Sequence, residues 1–167
     1  MIILRLHAFT YNQAMSKIGD IHKVKTNEIC RFFGPDSTVS EIADMMDLQD
    51  IGAVPVVNEN NLLMGVVSER DIVRKLVKNG RDSDLVTAKD IMTSKVITVT
   101  KQTSQAYAFQ LMKSNNIRHL PIIDEHQKLI NFISHRDLVD SIQGNKKLNF
   151  LLLGFAAILL PVILIFK

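Results

Sequence analysis

Val66-Val67-Ser68-Glu69-Arg70-Asp71-Ile72-Val73 decides how the rest of the chain is read. Two β-branched apolar residues run into a serine, a charged triplet follows, and a second apolar run begins. β-branched residues favour a strand and serine favours the N-cap of a helix, so the stretch predicts a strand that turns into a helix at Ser68. The first backbone N–H groups of a helix lack intrahelical partners and carry partial positive charge, which makes such a corner a seat for an anion. Asp71 falls in the first turn, where a carboxylate is favoured and is able to accept hydrogen bonds from a sugar diol. One such corner is better explained as a capped helix. The chain, however, makes it twice: Phe132-Ile133-Ser134-His135-Arg136-Asp137-Leu138-Val139 repeats the pattern.

Working outward from the corner exposes the whole repeat. Ile51-Gly52-Ala53-Val54-Pro55-Val56-Val57 aligns without a gap on Ile117-Arg118-His119-Leu120-Pro121-Ile122-Ile123, at the offset of 66 that separates Ile51 from Ile117. The same offset carries Glu59 onto Glu125, Leu63 onto Leu129, Thr38 onto Ser104 and Met46 onto Met112. Nearer the start the register slips, and Asp20-Ile21 matches Asp90-Ile91 at an offset of 70. Two units are expected, 15–80 and 81–144, after an N-terminal extension at 1–14.

Each unit reads helix, strand, strand, helix. Thr38-Val39-Ser40-Glu41 fits a capping box opening a helix through about Leu48, with Val39, Ile42, Met45 and Met46 on its buried side. Ala53 to Val57 is a short strand whose Pro55 argues for an edge position or a strand start. Asn58 to Asn61 is a polar turn, Leu62 to Val67 the return strand, and Ser68 to Asn79 a helix closed by Gly80. The second unit repeats this with a cap at Thr103 or Ser104, strands near His119–Ile123 and Leu129–Ile133, and a helix ending at Gly144. Neither unit is large enough to bury its apolar faces alone, so the two are expected to pack as a pseudo-twofold pair.

Composition narrows the function. The chain has 167 residues, 47% hydrophobic and 6% aromatic, with a net charge of +3. A small, unclustered basic excess with few aromatics argues against a nucleic-acid platform. A single cysteine, Cys30, rules out an intrachain disulfide or a cysteine zinc site. His119, His126 and His135 match no zinc spacing. No nucleophile–base pair, P-loop or dinucleotide glycine motif is present, so no catalysis is expected. Beyond Gly144 the composition changes: Phe150 to Phe166 contains no charge or strongly polar group. A C-terminal apolar helix over 148–166 is expected to span a membrane, with burial against a partner chain as the alternative. Lys146 and Lys147 would keep the repeat on the cytoplasmic side.

The duplicated order of proline strand followed by φ-φ-Ser-x-Arg-Asp resembles tandem CBS domains, the pair called a Bateman module. The resemblance covers about residues 15–144 and implies an α/β (α+β) fold of two β-α-β-β-α units. It also implies clefts that take an adenosine-containing small molecule, AMP, ADP, ATP or S-adenosylmethionine, as regulatory ligand rather than cofactor. By position, Asp71 and Asp137 would hold ribose hydroxyls, and Ser68 and Ser134 would contact ribose or phosphate. Arg118 and His119 would meet phosphate, with Arg70 and Arg136 as weaker candidates that surface ion pairs explain as well. Val54, Val56, Val67, Leu120, Ile122 and Ile133 would line the adenine. The expected partners are a second copy in a homodimer and a regulated protein; scaffolding with vestigial clefts is the alternative function. Two departures matter. Gly65, the family's usual glycine, is replaced by Asn131 in the second unit, and Gly52 replaces the basic residue present at Arg118. The two clefts should therefore differ, with one good site drawing its phosphate contacts from the second unit.

Overall fold

The computed structural model describes residues 16–26 and 30–142. The extension at 1–14 and the apolar segment at 148–166 lie outside the described residues. In chain order the elements are α1 (His22–Lys25), α2 (Val39–Gln49), β1 (Ala53–Val57), β2 (Leu63–Ser68), α3 (Glu69–Asp71), α4 (Ala88–Ile91), α5 (Gln105–Ser114), β3 (His119–Ile123), β4 (Leu129–Ser134) and α6 (135–142).

The caps form where the side chains dictate. The Thr38 hydroxyl accepts from the Glu41 N–H at 3.2 Å, and the Glu41 carboxylate accepts from the Thr38 N–H at 2.9 Å. This reciprocal box starts α2, whose Val39, Ile42 and Met46 are buried. Ser104 caps α5 by accepting from the Tyr107 N–H. The helix after Ser68 is less regular than its sequence suggests. Three α-helical residues are followed by a π-helical stretch, Ile72–Leu76, and a 3-10 turn, Val77–Asn79, before Gly80 stops it with φ of 61°. Glycine reaches that left-handed conformation without a Cβ clash.

β1 pairs antiparallel with β2, and β3 with β4, in the same register. The leading strand expected of each unit shrinks to one parallel bridge, Phe33 to Val56 and Val99 to Ile122. Pro55 sits mid-strand, not at its start, because its neighbour Val66 makes both backbone hydrogen bonds to Thr93 and asks nothing of the missing proline N–H.

The two cores do not follow the boundaries 15–80 and 81–144. Ile18, Ile21 and Val24, from the start of the chain, are buried with Met112, Leu120, Ile133 and Leu138 of the second unit. Val86, Ala88 and Ile91, from the linker, are buried with Ile42, Val54 and Val67 of the first. Backbone bonds fasten both exchanges: Ile18 N–H to Thr103 C=O at 2.8 Å, and Val39 N–H to Val86 C=O at 2.9 Å. Each unit's entry segment thus completes the other unit's core. That accounts for the change of offset: the shift of four falls in the connection between entry segment and helix, longer in the first unit. The two hairpin turns meet at an antiparallel bridge between Leu62 and Lys128.

Candidate functional site

Ser68 and Ser134 each end a strand and begin a helix, as the duplicated corner implies. Asp137 Oδ2 accepts from the Ser134 N–H at 2.6 Å and from its hydroxyl at 2.7 Å, while the Asp137 N–H donates to Ser134 Oγ at 3.3 Å. Ser68 and Asp71 form the same box. Both pairs are therefore helix caps. What separates them is the use of the remaining carboxylate oxygen.

In the first unit that oxygen is taken. Asp71 Oδ1 accepts from the Thr93 hydroxyl at 3.1 Å and pairs with Lys75 Nζ at 2.8 Å. Lys75 also donates to the Ile91 carbonyl at 2.6 Å, so the linker is drawn over the corner. Gly65 admits it: a Cβ there would stand 2.7 Å from Met92 Sδ and 3.0 Å from the Thr93 carbonyl. In the second unit Lys23 Nζ pairs with Asp137 Oδ2 at 2.7 Å, and Oδ1 takes no hydrogen bond from the described residues. Asn131, buried where the first unit has Gly65, donates from Nδ2 to the Lys23 carbonyl at 3.3 Å. Burial pushes both aspartates up, but hydrogen bonds outweigh it, from Lys75 and Ser68 at Asp71 and from Lys23 and Ser134 at Asp137. Both carboxyls lie below their ordinary value and are ionised at neutral pH.

A cleft of about 1140 Å³ opens between the units, large enough for a nucleotide. Ser134, Asp137, Arg118, His119, Asn131, Phe132 and Lys23 line its second-unit side. Gly52, Ala53, Glu69, Ile72 and Val73 line the first-unit side. Arg136 lines it too, whereas Ser68, Arg70 and Asp71 are not among its lining residues. Gly52 keeps the wall low, since a Cβ at that position would meet the Glu69 carboxylate at 2.9 Å.

The basic candidates divide. Arg118 is exposed and reaches across to Glu69 at 3.6 Å. Arg136 faces Asp50 at 3.5 Å, and Arg70 donates to the Asn116 carbonyl at 3.2 Å; these two contacts are equivalent under the repeat and tie the units together. His119 lies nearly parallel to Phe132, with ring centroids 5.4 Å apart. Burial, with Arg118 and Lys23 adding to it, pushes the imidazole down to about 4. At neutral pH it is uncharged, a hydrogen-bonding and stacking surface and not the cation expected from the sequence.

The six residues expected around adenine are placed elsewhere. Val54, Val56, Val67, Leu120, Ile122 and Ile133 are fully buried in the two cores, and none is among the residues lining this cleft. Strands covered on both faces bury every position, so an apolar run beside a functional corner does not distinguish lining from core. The apolar surface that faces the cleft comes instead from Phe132, Ile72, Val73 and Val139. Lys23 and Glu69 join the site beyond the residues expected from the sequence, and Asn131, expected only as a departure from the repeat, lines the cleft as well. The signal for Lys23 was present, since the offset of 70 lays it on Thr93, the residue that covers Asp71.

Comparison with known proteins agrees with this architecture. The CBS domain family profile matches residues 18–78 and 88–144. A putative signal-transduction protein with CBS domains from Burkholderia ambifaria MC40-6 superimposes with a TM-score of 0.70 at 32% identity, covering 76% of this chain and 93% of that one. The mitochondrial CBS domain-containing protein CBSX3 of Arabidopsis thaliana is 39% identical over 64% of this chain and 53% of its own length. The chain thus spans about half of that relative. The structure of CBSX2 in complex with AMP shares the fold, with a TM-score of 0.66 at 23% identity, covering 78% of this chain and 98% of that one. With two interlocked copies of the unit, each carrying the Ser-x-x-Asp corner, this chain belongs to the CBS domain family as a tandem pair.

Proposed function

We propose that this chain is a regulatory, non-enzymatic module that binds one adenosine-containing small molecule, AMP or S-adenosylmethionine among them, in the cleft of the second unit. The observation that carries the reading is the difference between the two aspartates. Asp137 Oδ1 takes no hydrogen bond from the described residues, on the wall of a nucleotide-sized cleft, whereas both oxygens of Asp71 are engaged by the protein. A ribose diol needs an ionised acceptor of the first kind. His119 and Phe132 offer flat surfaces for a base, and Arg118 a cation for phosphate. CBSX2, which has the same fold, was crystallised with AMP.

Signalling would follow from where the ligand lies. The ion pairs from Arg118 to Glu69 and from Arg136 to Asp50 cross between the units at the rim of the cleft. A ligand that recruits Arg118 competes with Glu69 and shifts the balance between arrangements of the pair, by no more than its difference in affinity for them. The regulated partner and a homodimer belong to the same proposal. Attachment to a membrane through residues 148–166 rests on the sequence alone; release of the full chain by an alkaline-carbonate wash would contradict it.

Calorimetric titration of the full chain with AMP and S-adenosylmethionine tests the binding reading. One of them should bind at one site per chain. Asp137→Asn should weaken it by about tenfold or more, the scale of a lost charge-assisted hydrogen bond, and Asp71→Asn by less than about twofold. Absence of heat with every adenosine ligand would favour the scaffolding alternative.

A further inference from the structure

Resting on the adenosine reading above, we infer that Lys23, which lies outside both duplicated motifs, is the residue that distinguishes a phosphorylated from an unphosphorylated adenosine at the second-unit site. Three observations carry this. First, Lys23 is held at the cleft by construction. It sits on α1, whose Val24 and the preceding Ile18 and Ile21 are buried in the second core, and its backbone carbonyl accepts from Asn131 Nδ2 at 3.3 Å. Secondly, its ammonium reaches the acidic residue of the corner, 2.7 Å from Asp137 Oδ2, with only 28% of the side chain exposed. Thirdly, the repeat supplies an internal control. Thr93 occupies the equivalent position over Asp71, where it gives a neutral hydroxyl at 3.1 Å. The fold places an entry-segment donor above the aspartate in both units; the second unit makes that donor a cation, whereas in the first the cation on Asp71 is Lys75, which comes from the unit's own helical segment and is already held by the Ile91 carbonyl.

The chemistry follows from charge balance. A ribose diol is neutral and needs only Asp137 Oδ1, which leaves the Lys23–Asp137 pair intact. A 5′ phosphate brings negative charge beside Asp137 and requires a nearby cation to offset it. Arg118 meets the phosphate from the rim, as proposed above, but the exposed basic groups of the cleft contribute less to the discrimination. Arg118 and Arg136 are 69% and 75% exposed and already face Glu69 and Asp50, and an exposed pair in water contributes little. Lys23 is the least exposed of the cations in ion pairs on this wall, and its four-carbon stem lets the ammonium bridge Asp137 and a phosphate oxygen. A nucleoside would bind without using Lys23, and a nucleoside phosphate would depend on it.

The test compares AMP with adenosine on the full chain, by calorimetry, in the wild type and in Lys23→Met and Lys23→Arg. Lys23→Met should weaken AMP by about tenfold and change adenosine by less than about twofold, erasing most of the preference for the phosphate. Lys23→Arg should keep that preference. Equal weakening of AMP and adenosine by Lys23→Met would overturn the inference, because it would mean that Lys23 only props the corner. An unchanged affinity for AMP would overturn it as well. Failure of the wild type to bind either ligand would instead strike the adenosine reading on which the inference stands. Lys23→Gln is the second neutral variant should the methionine prove insoluble.

Discussion

At the scale of single residues, the second-unit corner is defined by two groups in opposite electrostatic states. Asp137 is held ionised by Lys23 and Ser134 against the effect of burial, while His119 is held neutral by burial with Arg118 and Lys23 adding to it. These shifts have consequences for stability. An unfolded histidine titrates near 6.5, whereas His119 in the fold titrates at about 4, so the unfolded chain takes up the proton first. The contribution of His119 is complete above pH 6.5 and is lost progressively as the pH falls towards 4. Urea unfolding at pH 7.5 and pH 5 should therefore show a larger loss of stability in the wild type than in His119→Gln. Equal losses would contradict a buried neutral imidazole. Below about pH 4 the loss should continue as Asp71 and Asp137, whose folded values are depressed, are finally protonated. The serines and aspartates were legible in the sequence because a capping corner has a fixed spacing. The charge state of His119 was not, since it depends on Phe132, Lys23 and the depth of burial, none adjacent in sequence.

At the scale of elements, the entry segments decide which corner stays open. In the first unit the linker lies on β2 through the paired hydrogen bonds of Val66 and Thr93, and Gly65 lets Met92 settle against the strand. Gly65→Ala should cost about 1–3 kcal/mol in denaturant unfolding, because the added methyl meets the Thr93 backbone at 3.0 Å as well as the movable Met92 side chain. A neutral result would mean that the linker is not seated there. In the second unit Asn131 takes the place of that glycine and ties α1 down by its carbonyl. The substitution was visible in the sequence as a departure from the repeat. Its meaning was not, because it needed the knowledge that residues 17–26 cross over to the second unit. Similarly, the strands and the caps were legible from apolar runs and capping residues. The π-helical stretch at Ile72–Leu76 has no marker in the sequence, and the structure offers no single residue that accounts for it.

At the scale of the whole molecule, duplication made the architecture readable and exchange made the site asymmetric. Two similar units related by an offset of 66 share strand register, proline positions and cap chemistry, so one unit can be checked against the other. Under the proposed function, small differences between the copies carry the asymmetry: Gly65 against Asn131, Thr93 against Lys23, Gly52 against Arg118. Val54, Val56, Val67, Leu120, Ile122 and Ile133 are buried in the cores, and strand burial and ligand lining produce the same apolar pattern in sequence. The exposed rim, with Glu69, Arg118, Asp50 and Arg136 crossing between units, could be placed only once the pair was seen together. Under the proposed function this pair has one competent adenosine corner, in the second unit. The most direct measurement is backbone amide shift mapping of the full chain during an AMP titration. Saturable perturbations are expected at Arg118, His119, Asn131, Ser134 and Asp137, with Ser68, Asp71 and Thr93 unmoved. Equal perturbation of both corners, or perturbation confined to the first, would contradict it.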